Sequence, residues 1–525
     1  MTARPATPPR TPGRDAATVT TWNLVSRISG FVRVLVIGGA LGATRLGDTY
    51  HAANQVSNIL FEFLAAGTLS AVLVPGLVAR LTRGDRDGAR EFAGALLGRA
   101  LAVLAPIVVI GIVCARPIMH LLVSANSGSS RSAQIRVGAF LLLFVLPQLL
   151  LYAWGAVVTA MLHADRRFAA AAVAPVANNV VVSAAVGLFW LRGATGLGIG
   201  LSDRVLLGGG TLGGVLCMTI VPAVAAWRAG LAITPRLRGT TTTIGMRRDI
   251  AWASLVVIPA QLFLLVSLVV AGRVPGGVAS CQIAFTLFLL PHALLGHPVA
   301  TVLYPRIAAS WAIDDALAAR AHAARGLSTS LLLTAPAAAL VAVLAPWIVR
   351  VLSVGDLAHG GGPAVVAAAL SGYAVGLSAS SWSLLVTRVA YASGDVKTPG
   401  LAAIGGGIVG VVLLATVAGG ASTATLRWIG LAHSAMALLT TGAIVVALVR
   451  RGVIAVDPRA WIVPCVGAVA AAVAARLLAE ALGDGASRGA ALGIGGVAAV
   501  VGVGAYAAVL TAGGIQPWRR TVDSA

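Results

Sequence analysis

The sequence predicts an all-α polytopic membrane protein: about fourteen transmembrane helices, arranged as two pseudo-symmetric six-helix lobes followed by two C-terminal helices. Three observations predict it. The 525 residues are 58% hydrophobic and 10% charged, with a mean hydropathy of +0.92, where soluble domains are roughly 25% charged. Apolar stretches of about 20 residues, the length that crosses a bilayer as a helix, recur along the whole chain. The chain also repeats itself at a shift of 230 residues. That shift lays Ala71-Val72-Leu73-Val74-Pro75 over Thr301-Val302-Leu303-Tyr304-Pro305, and Ala105-Pro106 over Ala335-Pro336. It lays Ile118-Met119-His120-Leu121-Leu122 over Ile348-Val349-Arg350-Val351-Leu352, Asp165 over Asp395 and Arg167 over Lys397. Two homologous membrane halves enclose a cleft, and a cleft in a bilayer points to transport.

Residues 1–16, rich in Pro, Thr and Arg, read as a disordered cytoplasmic tail. The first apolar span carries Arg27 and Arg33 and lacks a small-residue cleavage site, so it is expected to be retained rather than removed as a signal peptide. Spans centre near residues 30, 65, 105, 148, 180 and 215, giving an N-lobe over 17–230. A basic, Thr-rich linker, 231–249, joins it to a C-lobe over 250–451 with centres near 260, 290, 335, 375, 410 and 438. Two further spans near 470 and 500 fill 452–515 outside the repeat, and 516–525 form a short polar cytoplasmic tail.

The net charge of +21 could suggest nucleic-acid binding. Its distribution follows topology instead. With the N-terminus inside, the clusters Arg80/Arg83/Arg86/Arg90, Arg236/Arg238/Arg247/Arg248 and Arg450/Arg451/Arg459 all fall on the inner side. This is the positive-inside pattern, and it places both termini in the cytoplasm. The four cysteines lie in apolar runs without metal-ligand spacing and read as packing residues. No GxSxG, Walker, HExxH or CxxC motif occurs, and no loop is long enough for a soluble catalytic domain, so the chain reads as a transporter rather than an enzyme.

Charged groups within a span cost roughly 2.5–3.5 kcal/mol each near its centre, so they are the first functional candidates. Arg27 and Arg33 are two such groups in the first span; the bland alternative is snorkelling or a structural ion pair. In the second span Asn54, Asn58 and Glu62 stand at i, i+4 and i+8 and share one helix face. That stripe reads as the wall of a hydrated cavity, or as interhelical hydrogen bonding that fastens the bundle. Glu62 is a natural counter-ion for Arg27 or Arg33. Gln148, Asn178-Asn179, Gln261, Gln282, His292, His297 and Arg388 are further polar groups within spans, most of them beside a proline. Proline frees backbone carbonyls and bends a helix, which suits a moving transporter.

The run Ser26-Arg27-Ile28-Ser29-Gly30-Phe31-Val32-Arg33, then Ala40-Leu41-Gly42-Ala43 and Asp48, resembles the opening of the MurJ (MviN) lipid II flippase family. Gly67-Thr68-Leu69-Ser70 with Val74-Pro75, Pro147-Gln148, Ala174-Pro175-Val176-Ala177-Asn178-Asn179, Pro298 to Pro305 and Arg388 to Pro399 continue the resemblance in order. It implies a member of the multidrug/oligosaccharidyl-lipid/polysaccharide (MOP) exporter superfamily in the bacterial plasma membrane. Two lobes would enclose a V-shaped cavity, and the last two helices would line a groove for a polyprenyl tail. The cargo would be lipid II, the undecaprenyl-pyrophosphate-linked peptidoglycan precursor, turned from the inner to the outer leaflet by alternating access.

The resemblance implies a substrate cavity that includes Arg27 and Arg33; the polar stripe Asn54, Asn58 and Glu62 and the intramembrane Arg388 are the further candidate cavity residues. Asp48, Gly30, Pro75, Pro305 and Asp395 are gating or structural positions. No metal or cofactor is implied; the membrane potential or a coupling ion would supply energy, and cell-wall synthesis or division proteins are candidate partners. Where the family places further cavity arginines this chain has Phe61, Glu62 and Thr286, and where it places an acid the chain has Ala66, so the cavity is less cationic. Two other readings stand beside this one: a proton- or cation-coupled small-molecule exporter with Glu62 as its proton site, and a non-transporting scaffold of wall synthesis.

Overall fold

A computed structural model describes residues 12–126, 128, 130–237, 244–359, 361–455, 457–485 and 487–515. The terminal residues 1–11 and 516–525, and Thr240 to Thr243 of the linker, lie outside the described residues. Among the described residues every regular element is helical, as the uninterrupted apolar runs dictate: in hydrocarbon each backbone polar group must be paired within its own segment.

The first half contains α1 (Pro12–Leu41), α2 (Arg45–Thr82), α3 (Arg86–Val113), the short α4 (Ala115–Leu122), α5 (Ser130–Val145), α6 (Gln148–Ala164), α7 (Ala169–Leu191) and α8 (Leu201–Arg228). The second contains α9 (Ile244–Ala271), α10 (Gly277–Pro291), α11 (His297–Ala312), α12 (Ala316–Leu352), α13 (Gly362–Val375), α14 (Leu377–Ala392), α15 (Lys397–Thr416) and α16 (Thr423–Arg450). Then follow α17 (Pro458–Leu482) and α18 (Arg488–Ala512).

The repeat seen in sequence is a repeat of structure. α3 and α12 begin 230 residues apart, each capped by an aspartate in the same backbone conformation: Asp85 at φ −81°, ψ 75° and Asp315 at φ −82°, ψ 75°. Asp85 accepts from the Gly88 amide at 2.8 Å and Asp315 from the Ala318 amide at 2.9 Å. Such a cap satisfies an amide that has no partner inside its helix. One difference between the halves has a local cause. The single helix α2 corresponds to two, α10 and α11, joined by a π-turn at His292–Gly296. Pro298 lacks an amide hydrogen and its ring crowds the carbonyl four residues back, inside that turn.

By length and apolarity, eleven helical segments among the described residues can cross a membrane, or twelve when α13 and α14, bent by 44° at Gly376, count as one. The expected fourteen is not reached by this measure, although all fourteen predicted centres fall within helices. α2 is long enough, but its described part carries Arg45, Asp48 and Glu62; α9 contributes only the shorter apolar stretch Leu255–Ala271.

The helices form two compact units. Unit 1 comprises the described residues up to Ala40 with Ala53–Met119 and Ile135–Ile250; its core includes Leu77, Phe92, Leu97, Met161 and Ile233. Unit 2 comprises Ala251 onward together with Leu41–Ala52 and His120–Gln134, and its core includes Leu303, Ile307, Leu327, Val389 and Leu448. Within unit 2, α17 and α18 pack on α12 through Trp347, Ala475, Ala479, Ala491 and Ala498. Lipid offers no hydrophobic drive between helices, so small residues that allow close approach supply the packing.

Candidate functional site

In unit 1, α1 carries both candidate arginines, six residues apart and therefore on different faces. Arg33 is half-buried, and its Nε is fully enclosed without a hydrogen-bond partner among the described residues. Arg27 is exposed. Between them, Gly30 lets α1 approach α7: a Cβ there would stand 3.4 Å from Asn179 Nδ2. That amide donates to Ser29 Oγ at 2.9 Å and to the Ser26 carbonyl at 3.3 Å. Asn179, singled out as a polar residue in an apolar span, thus fixes the helix that bears the arginines.

The polar stripe of α2 turns from half-buried Asn54 to exposed Asn58 and Glu62. Asn58 Nδ2 donates to Gln55 Oε1 at 2.7 Å, and Phe61, beside Glu62, packs its ring 5.2 Å from that of Tyr152. The expected pairing of Glu62 with Arg27 or Arg33 is not made: among the described residues no ion pair joins them. Depth contributes to this. At 1.5 Å per residue, Arg33 stands roughly 12 Å along α1 from the α1–α2 corner and Glu62 roughly 26 Å along α2.

In unit 2, Arg388 on α14 is half-buried, its guanidinium 5.4 Å from the ring centroid of Tyr304 on α11. Pro305 is the next residue of α11 and is exposed. The side chain of Pro75, its repeat partner, lies outside the described residues. An apolar groove of about 680 Å³ runs between α12, α14, α16 and α17, with Trp382, Trp461 and Cys465 on its wall.

Asp48 is 2% exposed and belongs to unit 2. Its carboxylate accepts from the Gly276 amide at 2.8 Å and the Ala279 amide at 3.1 Å, at the start of α10. Arg45, 3.8 Å from that carboxylate, donates to the Gly272 carbonyl just past α9. Gln134 donates to the Arg45 carbonyl and to Thr49 Oγ1, both at 3.4 Å, and accepts from Asn126 Nδ2 at 2.8 Å. Sequence reasoning found Asp48 and missed the other four. No local pattern links Arg45 to Gly272 or Gln134 to Thr49 across the intervening sequence.

Asp395 precedes α15. The Thr398 amide donates to its Oδ1 at 3.0 Å, and Arg451 pairs with its Oδ2. Burial pushes this carboxyl up, but the hydrogen bonds from Thr398 and the charge of Arg451 outweigh it, and the pKa lies below the ordinary carboxylate value. Its repeat partner Asp165 pairs with Arg167 at 2.8 Å and Arg86 at 3.7 Å.

Long apolar helices in a twofold repeat, with arginines on a membrane helix that join no ion pair among the described residues, define a multi-pass membrane transporter. The chain belongs to the lipid II flippase MurJ family, whose model matches residues 37–483. It is 28% identical to the probable lipid II flippase MurJ of Rhizobium meliloti (strain 1021), over 73% of this chain and 71% of the relative. It is also 28% identical to the lipid II flippase MurJ of Burkholderia cenocepacia, over 75% of each. Among solved structures, a lipid II flippase MurJ in an inward closed conformation matches with a TM-score of 0.72 at 15% identity, covering 94% of this chain and 97% of that one. An inward-facing MATE family transporter of the MOP superfamily matches at 0.60 and 15%, covering 82% and 94%. These structural matches show the shared fold.

Proposed function

We propose that this chain turns lipid II from the inner to the outer leaflet of the bacterial inner membrane by alternating access. The observation that carries the reading is Arg33, a half-buried guanidinium on an apolar helix with an enclosed, unpaired Nε. An unpaired donor in such a place is costly unless something else completes it. A diphosphate does so well, because the planar fork of arginine meets two oxygens at once. Family membership favours lipid II over the small-molecule exporter and scaffold readings, since the curated relatives are lipid II flippases.

The residues divide the work. Arg33 draws the diphosphate headgroup from the inner leaflet, Arg27 offers an exposed first contact, and Asn54, Asn58 and Glu62 line the polar path. Arg388, over the ring of Tyr304, is the second unit's cation. The polyprenyl chain stays in hydrocarbon, and the apolar groove bordered by α17 is surface of the kind it follows. With both termini inside, the Arg45–Asp48 corner lies on the outer side and acts as its latch. An interior-negative potential aids outward movement of anionic cargo by roughly 2.3 kcal/mol per charge per 100 mV.

The test is depletion of this chain in its host, with inner-leaflet lipid II as the readout. Lipid II should accumulate, and plasmid-borne wild type should clear it. Unchanged inner-leaflet lipid II on depletion, in a host with no second copy of the family, would remove the assignment.

A further inference from the structure

Unit 2 holds a second chemistry, away from the arginines. His433 stands about 15 Å into α16 and is surrounded by four aromatic rings from three other helices. Ring centroids lie 5.9 Å away at Phe263 on α9, 5.5 and 5.6 Å at Phe285 and Phe288 on α10, and 5.2 Å at Tyr373 on α13. His433 is half-buried; its Nδ1 is enclosed and has no hydrogen-bond partner among the described residues. The sequence builds this enclosure through two glycines. A Cβ on Gly372 would stand 3.0 Å from Gly430 Cα, so α13 and α16 touch backbone to backbone. Ser434 Oγ fastens the crossing by donating to the Gly372 carbonyl at 2.8 Å. Tyr373, next to one glycine, and His433, three residues beyond the other, are thereby brought together.

We propose that His433 is a proton-binding site that couples proton uptake to the conformational cycle of unit 2. The inference rests on the flippase reading only for what that cycle moves. A histidine kept for structure usually has its ring nitrogens hydrogen-bonded. Here a phenylalanine would fill the same aromatic niche without stranding a polar atom. In this arrangement the Nδ1 of an imidazolium would have neither water nor a carboxylate beside it. A conformation that parts α13 from α16 admits water, and the Nδ1 lone pair then takes a proton from bulk solvent. Reclosure returns it to solvent.

The titratable groups around the ring lie on α10, α13, α14 and α15. Tyr373 faces His433 from α13, and its hydroxyl is hydrogen-bonded with the Cys281 thiol of α10. Cys281 in turn lies in the field of Asp48, two residues beyond the Ala279 amide that Asp48 accepts. α9 presents the apolar Phe263. α14, also packed on α16, carries Arg388 and Tyr391, with Arg388 engaged by Tyr304; α15 has Lys397 at its first position. On α16 itself the nearest charge is Arg427, whose carbonyl abuts Gly372.

The sign follows from linkage. Below the ordinary histidine value, about 6.5, the proton stabilises the hydrated conformer; above it the enclosed one is favoured. The test compares wild type and His433→Gln in lipid nanodiscs by hydrogen–deuterium exchange, corrected for intrinsic rate. In wild type, exchange in α10 and α13 rises several-fold from pH 8 to pH 5.5, and in His433→Gln it stays flat. The same pH response in both overturns the proposal. Should that variant not fold, the chain's eight histidines are followed by ¹⁵N resonance in wild type, with the His433 signal identified by its shift in Tyr373→Phe. A His433 signal that stays neutral from pH 8 to pH 5 overturns the proposal, and one that titrates supports it.

A second readout is lipid II flipping in proteoliposomes, as the ratio of rates with and without an imposed pH gradient. The ratio should be several-fold in wild type and near one in His433→Gln. Wild type that flips lipid II without regard to the gradient overturns the coupling and leaves the flippase reading standing. Wild type that shows the exchange response but moves no lipid II overturns the cargo and leaves the proton site.

Discussion

Arg45 and Asp48, one turn apart at the start of α2, cap two different helix ends. Arg45 donates to the Gly272 carbonyl after the C-terminus of α9, and Asp48 accepts from the Gly276 and Ala279 amides at the N-terminus of α10. Each charge faces the helix end of opposite partial charge. One sequence turn thereby fastens the α1–α2 corner to the α9–α10 corner within unit 2.

Removing one cap should loosen that fastening. Asp48→Ala strips two amides of their acceptor and is expected to cost about 1–2 kcal/mol. The readout is a lower apparent melting temperature in purified protein. Asp48→Asn, which keeps one acceptor oxygen, should fall between. An unchanged melting temperature in Asp48→Ala would show that the cap holds nothing.

The two arginines of α1 should differ. Arg33→Ala loses charge-assisted hydrogen bonds to a diphosphate worth about 1.5–3 kcal/mol, a loss of roughly tenfold to a hundredfold in lipid II flipping. Arg33→Lys keeps the charge without the fork and should recover part of it. Arg27→Ala, at an exposed position, should change the rate by less than about threefold. Reconstituted flipping assays decide this, and equal losses in both variants would remove the distinction.

Asp395 should make the stability of the chain acid-sensitive. Its pKa is depressed in the folded chain, so the stability it contributes is fully present above the ordinary carboxylate value, about 3.9, and fades as pH falls below it. Melting temperature against pH should therefore drop more steeply below about pH 4 in wild type than in Asp395→Asn. Parallel curves for the two proteins would show that Asp395 is not responsible.

Gly30 should tolerate a methyl but not a larger side chain. A Cβ there meets Asn179 Nδ2 at ordinary contact distance, 3.4 Å. Gly30→Leu must push Asn179 off Ser29 and the Ser26 carbonyl, at a cost of about 1–3 kcal/mol. Gly30→Ala should melt near wild type and Gly30→Leu clearly lower; the reverse order would refute this packing.

Some features were legible because they are local or periodic. An apolar run of span length has one outcome in a bilayer, so the helices follow from hydropathy alone. The repeat laid Asp165 over Asp395, and each of them pairs with an arginine. The single face shared by Asn54, Asn58 and Glu62 followed from helical spacing.

Hydropathy and the 230-residue repeat by themselves determined the membrane class and the pairing of the two halves. Only the tertiary structure decided what each polar residue does. It left Glu62 apart from the arginines it was expected to neutralise, joined Arg45 to a carbonyl 227 residues away, and closed four rings around His433. The physical reason is the range of the forces. Helix formation in lipid is set by neighbours within a few residues. The partner of a buried charge or ring nitrogen is whichever group a distant helix brings within about 3 Å, and no period in one dimension records that.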